Sequence, residues 1–136
     1  MTKRAKSSPG LAYVKENKAI YPALTRSRPA GPGHPEEDVR VAAYNELIEK
    51  YGYPPEHIEI EYPVVIREDE ARRWADIVVF DDREHKRPLI VVETKKPNQM
   101  EGEKQGQRYA TILRAVYVLW TNGSDRSASV IVNRFP

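Results

Sequence analysis

The 136-residue chain contains no cysteine. Disulfides, thiolate zinc sites and a cysteine nucleophile are thereby excluded, and any metal has to be held by oxygen or histidine. Long apolar runs are missing as well, so no stretch is expected to span a membrane. The opening "MTKRAKSSPG" is basic, but no continuous apolar segment follows it. A secretory leader is therefore not expected, and a cytoplasmic location is the default expectation. There is no internal repeat, no heptad pattern and no G-x-x-x-x-G-K-S/T loop, so ATPase chemistry is not expected. His34, His57 and His85 lack metal-ligand spacing and are read as solvated. Ser124 and Ser127 have no histidine placed to activate them.

What the chain does have is charge: nearly a third of its residues, with a net charge of +2. The charge is unevenly spread. Residues 1–34 carry seven Lys or Arg against Glu16 alone, which leaves 15 basic and 19 acidic side chains in the rest. The front, with its "SRPAGPGHP" punctuation, reads as a flexible basic arm, and residues 35–136 as one slightly acidic domain. The length suits one domain with a real core.

From "HPEEDVRVAAYNELIEKYGYP" a helix is predicted. Pro35 opens it, three acidic residues favour its positive end, and Gly52 with Pro54 closes it. Val39, Ala42, Ala43, Leu47 and Ile48 supply its apolar stripe. "HIEIEYPVVI" alternates as a half-buried strand, and Pro63 makes it an edge strand or marks a bulge. "RWADIVVF" and "PLIVVETK" read as an antiparallel hairpin, with Trp74 as core. "NQMEGEKQGQRYATILRAV" is helical despite Gly102 and Gly106, and "VYVLWT", which brings Trp120 into the core, and "ASVIVNRF" follow as strands. The predicted order is helix, three strands, helix, two strands.

The hairpin ends in charge. If Phe80 faces Leu89, then Val78 faces Val91 and Asp76 faces Glu93, with the Cβ atoms of the two carboxylates about 5 Å apart. Lys95 follows on the same face, since side chains in a strand alternate. Two carboxylates so close need a cation between them, either a lysine or a divalent metal. Gln105 and Tyr109, four apart on the second helix, project from one face of it.

"RWADIVVF", "LIVVETKKP" and "QGQRYA" resemble the PD-(D/E)xK nuclease superfamily in its variant with a downstream Q-x-x-x-Y. Taken with "HPEEDVRVAAYNELIEKYGYP" and "VYVLWTNG", they resemble more closely the N-terminal nuclease domain of the R subunit of type I restriction enzymes. The resemblance implies an α/β, restriction-endonuclease-like fold: a central mixed sheet of about five strands flanked by helices, with an αβββαβ core. It implies Mg²⁺-dependent DNA cleavage, with Mn²⁺ as a substitute. Asp76, Glu93 and the Thr94 carbonyl correspond to metal ligands, Lys95 to the catalytic lysine, and Gln105 and Tyr109 to the accessory motif. An acidic residue at the first helix completes the site, with Glu36 preferred to Glu37. The proline before the aspartate is Ala75 here. The ATP-driven motor of type I R subunits has no counterpart, so a stand-alone relative or an excised domain is expected.

Arg72, Arg73, Lys96, Lys104 and Arg108 are candidate phosphate contacts. DNA is the expected partner, motor or specificity subunits of a restriction system are further candidates, and cutting both strands suggests a homodimer. Two alternatives stand beside the endonuclease: a non-cleaving binding module on the same fold, and a subunit active only with a partner.

Overall fold

The computed structural model describes residues 10–66 and 73–131. The predicted series appears as α1 (Pro35–Glu49), β4 (Ile58–Val64), β5 (Arg73–Phe80), β6 (Pro88–Thr94), α2 (Glu103–Leu113), β7 (Tyr117–Thr121) and β8 (Arg126–Val130). It is preceded by three strands, β1 (Tyr13–Lys15), β2 (Lys18–Tyr21) and β3 (Arg26–Pro29), and single 3₁₀ turns occupy Pro22–Leu24 and Pro55–His57.

Strands β4 to β8 form one sheet in sequence order. All neighbours are antiparallel except β6 and β7, which run parallel. A parallel pair needs a crossover, and α2 supplies it. β4 lies at the edge, where Pro63 forfeits no interior ladder bond. In the hairpin Ile77 faces Val92 and Val78 faces Val91, the expected register. Phe80 faces Pro88 rather than Leu89, because the ladder shifts between Val79 and Phe80. The shift lies at the loop end, where the Asp82 carboxylate accepts from the Lys86 and Arg87 N–H groups. The other end of the hairpin keeps its alternation.

Both faces of the sheet are covered, which explains why β5 and β6 read as nearly continuous β-branched runs. Ile77, Val79, Ile90 and Val92 pack with α1 residues Tyr44, Leu47 and Ile48. Val78, Phe80 and Val91 pack with Tyr109 and Ala110 of α2. Helix α1 begins at Pro35 as predicted. It ends in a left-handed glycine cap: Gly52 (φ 77°) donates to the Ile48 carbonyl and Tyr53 to that of Leu47. Ala42 is exposed, however, and Tyr44 is fully buried in the stripe instead.

The expectation of a flexible arm over residues 1–34 fails where the chain is described. β1 to β3 make an antiparallel three-stranded sheet, and its first turn, Glu16–Asn17, is left-handed at both positions (φ 53° and 63°), the geometry of a type I′ hairpin. Ala12, Ala19, Tyr21 and Ala30 join the core beside α1. Asn45 exchanges two hydrogen bonds with the Ala12 backbone (2.8 and 2.9 Å), and Tyr21 meets Tyr44 edge to face at 5.1 Å. Four small or aromatic side chains anchor the segment. Charged residues dominate its composition, which hid it.

Candidate active site

Asp76 on β5 and Glu93 on β6 follow the register of their strands to one place. The Thr94 N–H donates to Asp76 Oδ2 at 2.8 Å, which ties the two strand ends together. Glu93 is 2% exposed, and its Oε2 is buried without a hydrogen-bond partner. Burial pushes its carboxyl up to about 9, and the charge of Asp76 adds to the shift. A buried carboxylate oxygen left without a partner is costly, and a hard cation would satisfy it. Among the described residues no three His, Cys, Asp or Glu side chains converge. The oxygen donors of the pair suit an ion that prefers oxygen to nitrogen or sulfur. Mg²⁺ and Mn²⁺ are of that kind.

Helix α2 lies directly over this pair because it carries glycine where it must. A Cβ on Gly106 would stand 3.0 Å from Glu93 Cγ, and one on Gly102 (φ 123°) 2.6 Å from Lys95 Cε. The two glycines that weaken the helical pattern are the ones that let the helix approach the charged strand end. Lys95 extends the ladder of β6, its N–H donating to the Thr121 carbonyl at 2.9 Å. Its Nζ makes a long contact with Gln105 Oε1 (3.4 Å), and Gln105 Nε2 donates to Tyr109 Oη at 2.7 Å. Tyr109 is core, 2% exposed. It acts on the cleft through Gln105, which lines it.

The α1 side brings Arg40, which the sequence did not single out, and Glu37, the alternative to Glu36. Glu37, one position from the preferred Glu36, is buried, while Glu36 is exposed on the cleft wall. Helical phase decides this: Glu37, Arg40, Tyr44 and Leu47 share the buried face. Arg40 is buried too and lies 3.6 Å from Glu37, 3.6 Å from Glu61 and 3.8 Å from Asp76. Burial opposes its charge, but Glu37, Asp76, Tyr21 and Glu61 outweigh that and hold it protonated. Tyr21 Oη donates to Glu37 Oε2 at 2.6 Å, and Tyr21 is itself held far above its ordinary value by burial and by that carboxylate. Glu61, in the left-handed region at φ 50°, is skipped in the β4–β5 register and faces Arg26 and Arg28 of β3 (2.9 and 3.2 Å). The signal for Arg40 was present: a charged residue standing inside an apolar helical stripe.

These groups surround a cleft of about 440 Å³. Lys96 is exposed on its wall, whereas Lys104 and Arg108 are exposed on α2 away from it. Arg73 sits at the start of β5, and Arg72 lies outside the described residues. Trp120 is core, as expected, and donates to the Glu101 carbonyl at 2.9 Å. Trp74 is not core: it is 47% exposed and lines the cleft, because it stands at the strand end opposite Pro63 on the edge strand. His85 stacks on Phe80 at 4.4 Å and His57 Nδ1 lies 3.1 Å from the Phe80 carbonyl, so both pack rather than point into water. His34 remains exposed at the rim.

A five-stranded mixed sheet between two helices, with an acidic pair and a lysine at adjoining strand ends, defines a restriction-endonuclease-like fold. The family described as the type I restriction enzyme R protein N terminus matches residues 35–133, and the chain belongs to it. Strands β1 to β3 fall outside that match. No curated protein matches the chain. No helix among the described residues is long and apolar enough to cross a membrane.

Proposed function

We propose that the protein is a metal-dependent DNA endonuclease that hydrolyses phosphodiester bonds. The observation that carries this reading is the buried, unpartnered Glu93 Oε2 beside Asp76, at the foot of a polar cleft that also holds Lys95. Asp76, Glu93 and the Thr94 carbonyl would hold Mg²⁺ or Mn²⁺, which when bound supplies charge stabilisation of the scissile phosphate and a more acidic water. Lys95 Nζ orients the attacking water or neutralises charge that grows on the phosphate oxygens as the P–O bond to the leaving group breaks. Gln105, braced by Tyr109, keeps that ammonium in the cleft. Arg40 balances the negative charge of Asp76, Glu37 and Glu61.

Plasmid cutting in Mg²⁺ tests the reading, with Asp76→Ala and Lys95→Ala alongside the unaltered chain. Loss of about a hundredfold or more in both variants is expected; equal activity in all three would sink the assignment. Calorimetric titration with Mn²⁺ separates it from a non-cleaving binding module, which has no need of metal. The family is defined on one end of a larger R protein, and this favours a second reading: a cleavage subunit that cuts feebly until a motor or specificity partner joins it. Metal binding that is normal beside weak cutting would mark that case.

A further inference from the structure

One nitrogen in the cleft serves two carboxylates. Arg40 Nη2 lies 3.6 Å from Glu37 Oε1 and 3.8 Å from Asp76 Oδ1, while Nη1 lies 3.6 Å from Glu61 Oε2. These separations are longer than ordinary hydrogen bonds, and Arg40 Nε and Nη1 are buried without a hydrogen-bond partner among the described residues. The guanidinium is therefore held chiefly by the field of three carboxylates, and it can shift among them. Asp76 Oδ2 already accepts the Thr94 N–H at 2.8 Å, so Oδ1 is the oxygen that faces Arg40. For Asp76 to hold a divalent ion, a cation already beside it has to yield.

Tyr21 bears on how that nitrogen is shared. Its ring is fully buried and meets Tyr44 edge to face, and its hydroxyl donates to Glu37 Oε2 at 2.6 Å. With that oxygen satisfied, Glu37 draws on Arg40 only through the other one. If the hydroxyl is removed, a buried carboxylate oxygen loses its donor, and Arg40 is placed to replace it. An Nη2 that closes on Glu37 gives up Asp76.

We propose that Arg40 is a built-in counter-ion that competes with the metal for Asp76, and that Tyr21 acts through Glu37 as a positioning residue that sets the strength of this competition. The proposal rests on the reading of Asp76 as a metal ligand. Without metal, Arg40 offsets the charge of Asp76; with metal bound, it falls back on Glu37 and Glu61. Strand β2, which lies outside the family match, thereby tunes the metal demand of the site.

Calorimetric titration with Mn²⁺ tests this on the unaltered chain and on Tyr21→Phe, with melting temperature in EDTA measured alongside. Tyr21→Phe keeps the ring and removes the hydroxyl alone. It is expected to melt at a lower temperature, since Glu37 loses a donor, and yet to hold Mn²⁺ about three- to tenfold more tightly, since Nη2 has moved off Asp76. A hydroxyl that merely braced the fold would lower the melting temperature and weaken Mn²⁺ binding with it. The double variant Arg40→Met with Glu37→Gln takes away the counter-ion without stranding the buried charge, and it too is expected to bind Mn²⁺ more tightly than the unaltered chain. Unchanged or weakened Mn²⁺ affinity in either variant would overturn the proposal and leave the metal reading standing. Absence of Mn²⁺ binding in the unaltered chain would sink both.

Discussion

With its carboxyl held up at about 9 by burial and by Asp76, Glu93 keeps a proton in the folded chain that the unfolded chain releases near 4.5. Over that interval the native state binds more protons, so stability falls as pH rises through it, by at most about 1.4 kcal/mol per pH unit. Melting temperature in EDTA is thus expected to decline from pH 5 towards pH 9, and Glu93→Gln to flatten the decline while abolishing Mn²⁺ binding; a flat profile in the unaltered chain would refute the first part. Metal affinity runs the other way and rises with pH, because binding has to displace that proton. Arg40 poses the opposite problem, since its removal strands charge. Arg40→Met leaves Glu37 buried and uncompensated, with an expected cost of about 3–5 kcal/mol in urea unfolding. Adding Glu37→Gln, which keeps an acceptor for Tyr21, is expected to recover part of the loss. Asp76, Glu93 and Lys95 were legible because strand alternation places them without any tertiary knowledge. Arg40 was not, and Glu37 stood second to Glu36, since a helix end offers several charged residues and only packing tells which of them face inward.

At the scale of elements, α2 is shaped by what lies beneath it. Ordinary helix propensity would gain about 1 kcal/mol from Gly106→Ala, yet the new Cβ would press on Glu93 Cγ at 3.0 Å. The two effects oppose, so melting temperature is expected to change little while Mn²⁺ affinity falls by about tenfold, a split readable by calorimetry beside thermal unfolding. An unchanged affinity would show that Glu93 gives way at no cost. Strands β5, β6 and β7 could be read from their β-branched runs, and the parallel pairing of β6 with β7 follows once a helix lies between them. β1 to β3 could not: strands of three or four residues, of which only β2 buries side chains, leave no measurable period. Asn17 at a left-handed position was the one local clue to their hairpin.

For the molecule as a whole, the stretch outside the family match is part of the fold. Tyr21 and Ala19 are fully buried, Asn45 of α1 bonds the Ala12 backbone, and Arg26 donates to the Ile60 carbonyl at 2.6 Å. Deletion of residues 1–31 is expected to leave a chain that no longer melts cooperatively by circular dichroism, although the family region, 35–133, would remain intact. A truncated chain with a sharp melt would show the small sheet to be an ornament. The general architecture was accessible from sequence since a buried sheet announces itself through composition. The packing of residues 12–30 beside α1 was not, because it depends on a few small side chains fitting one surface.

The contact between Tyr21 and Glu37 bears also on how the protein is made. Tyr21 is made well before Gln105, so a nascent fragment that ends between them lacks the residue that meets Lys95 Nζ. A chain cut short, or one still being translated, carries a cleft without its acidic floor or without its lysine brace. The cleft on which the proposed activity rests is therefore complete only once residue 105 has been made.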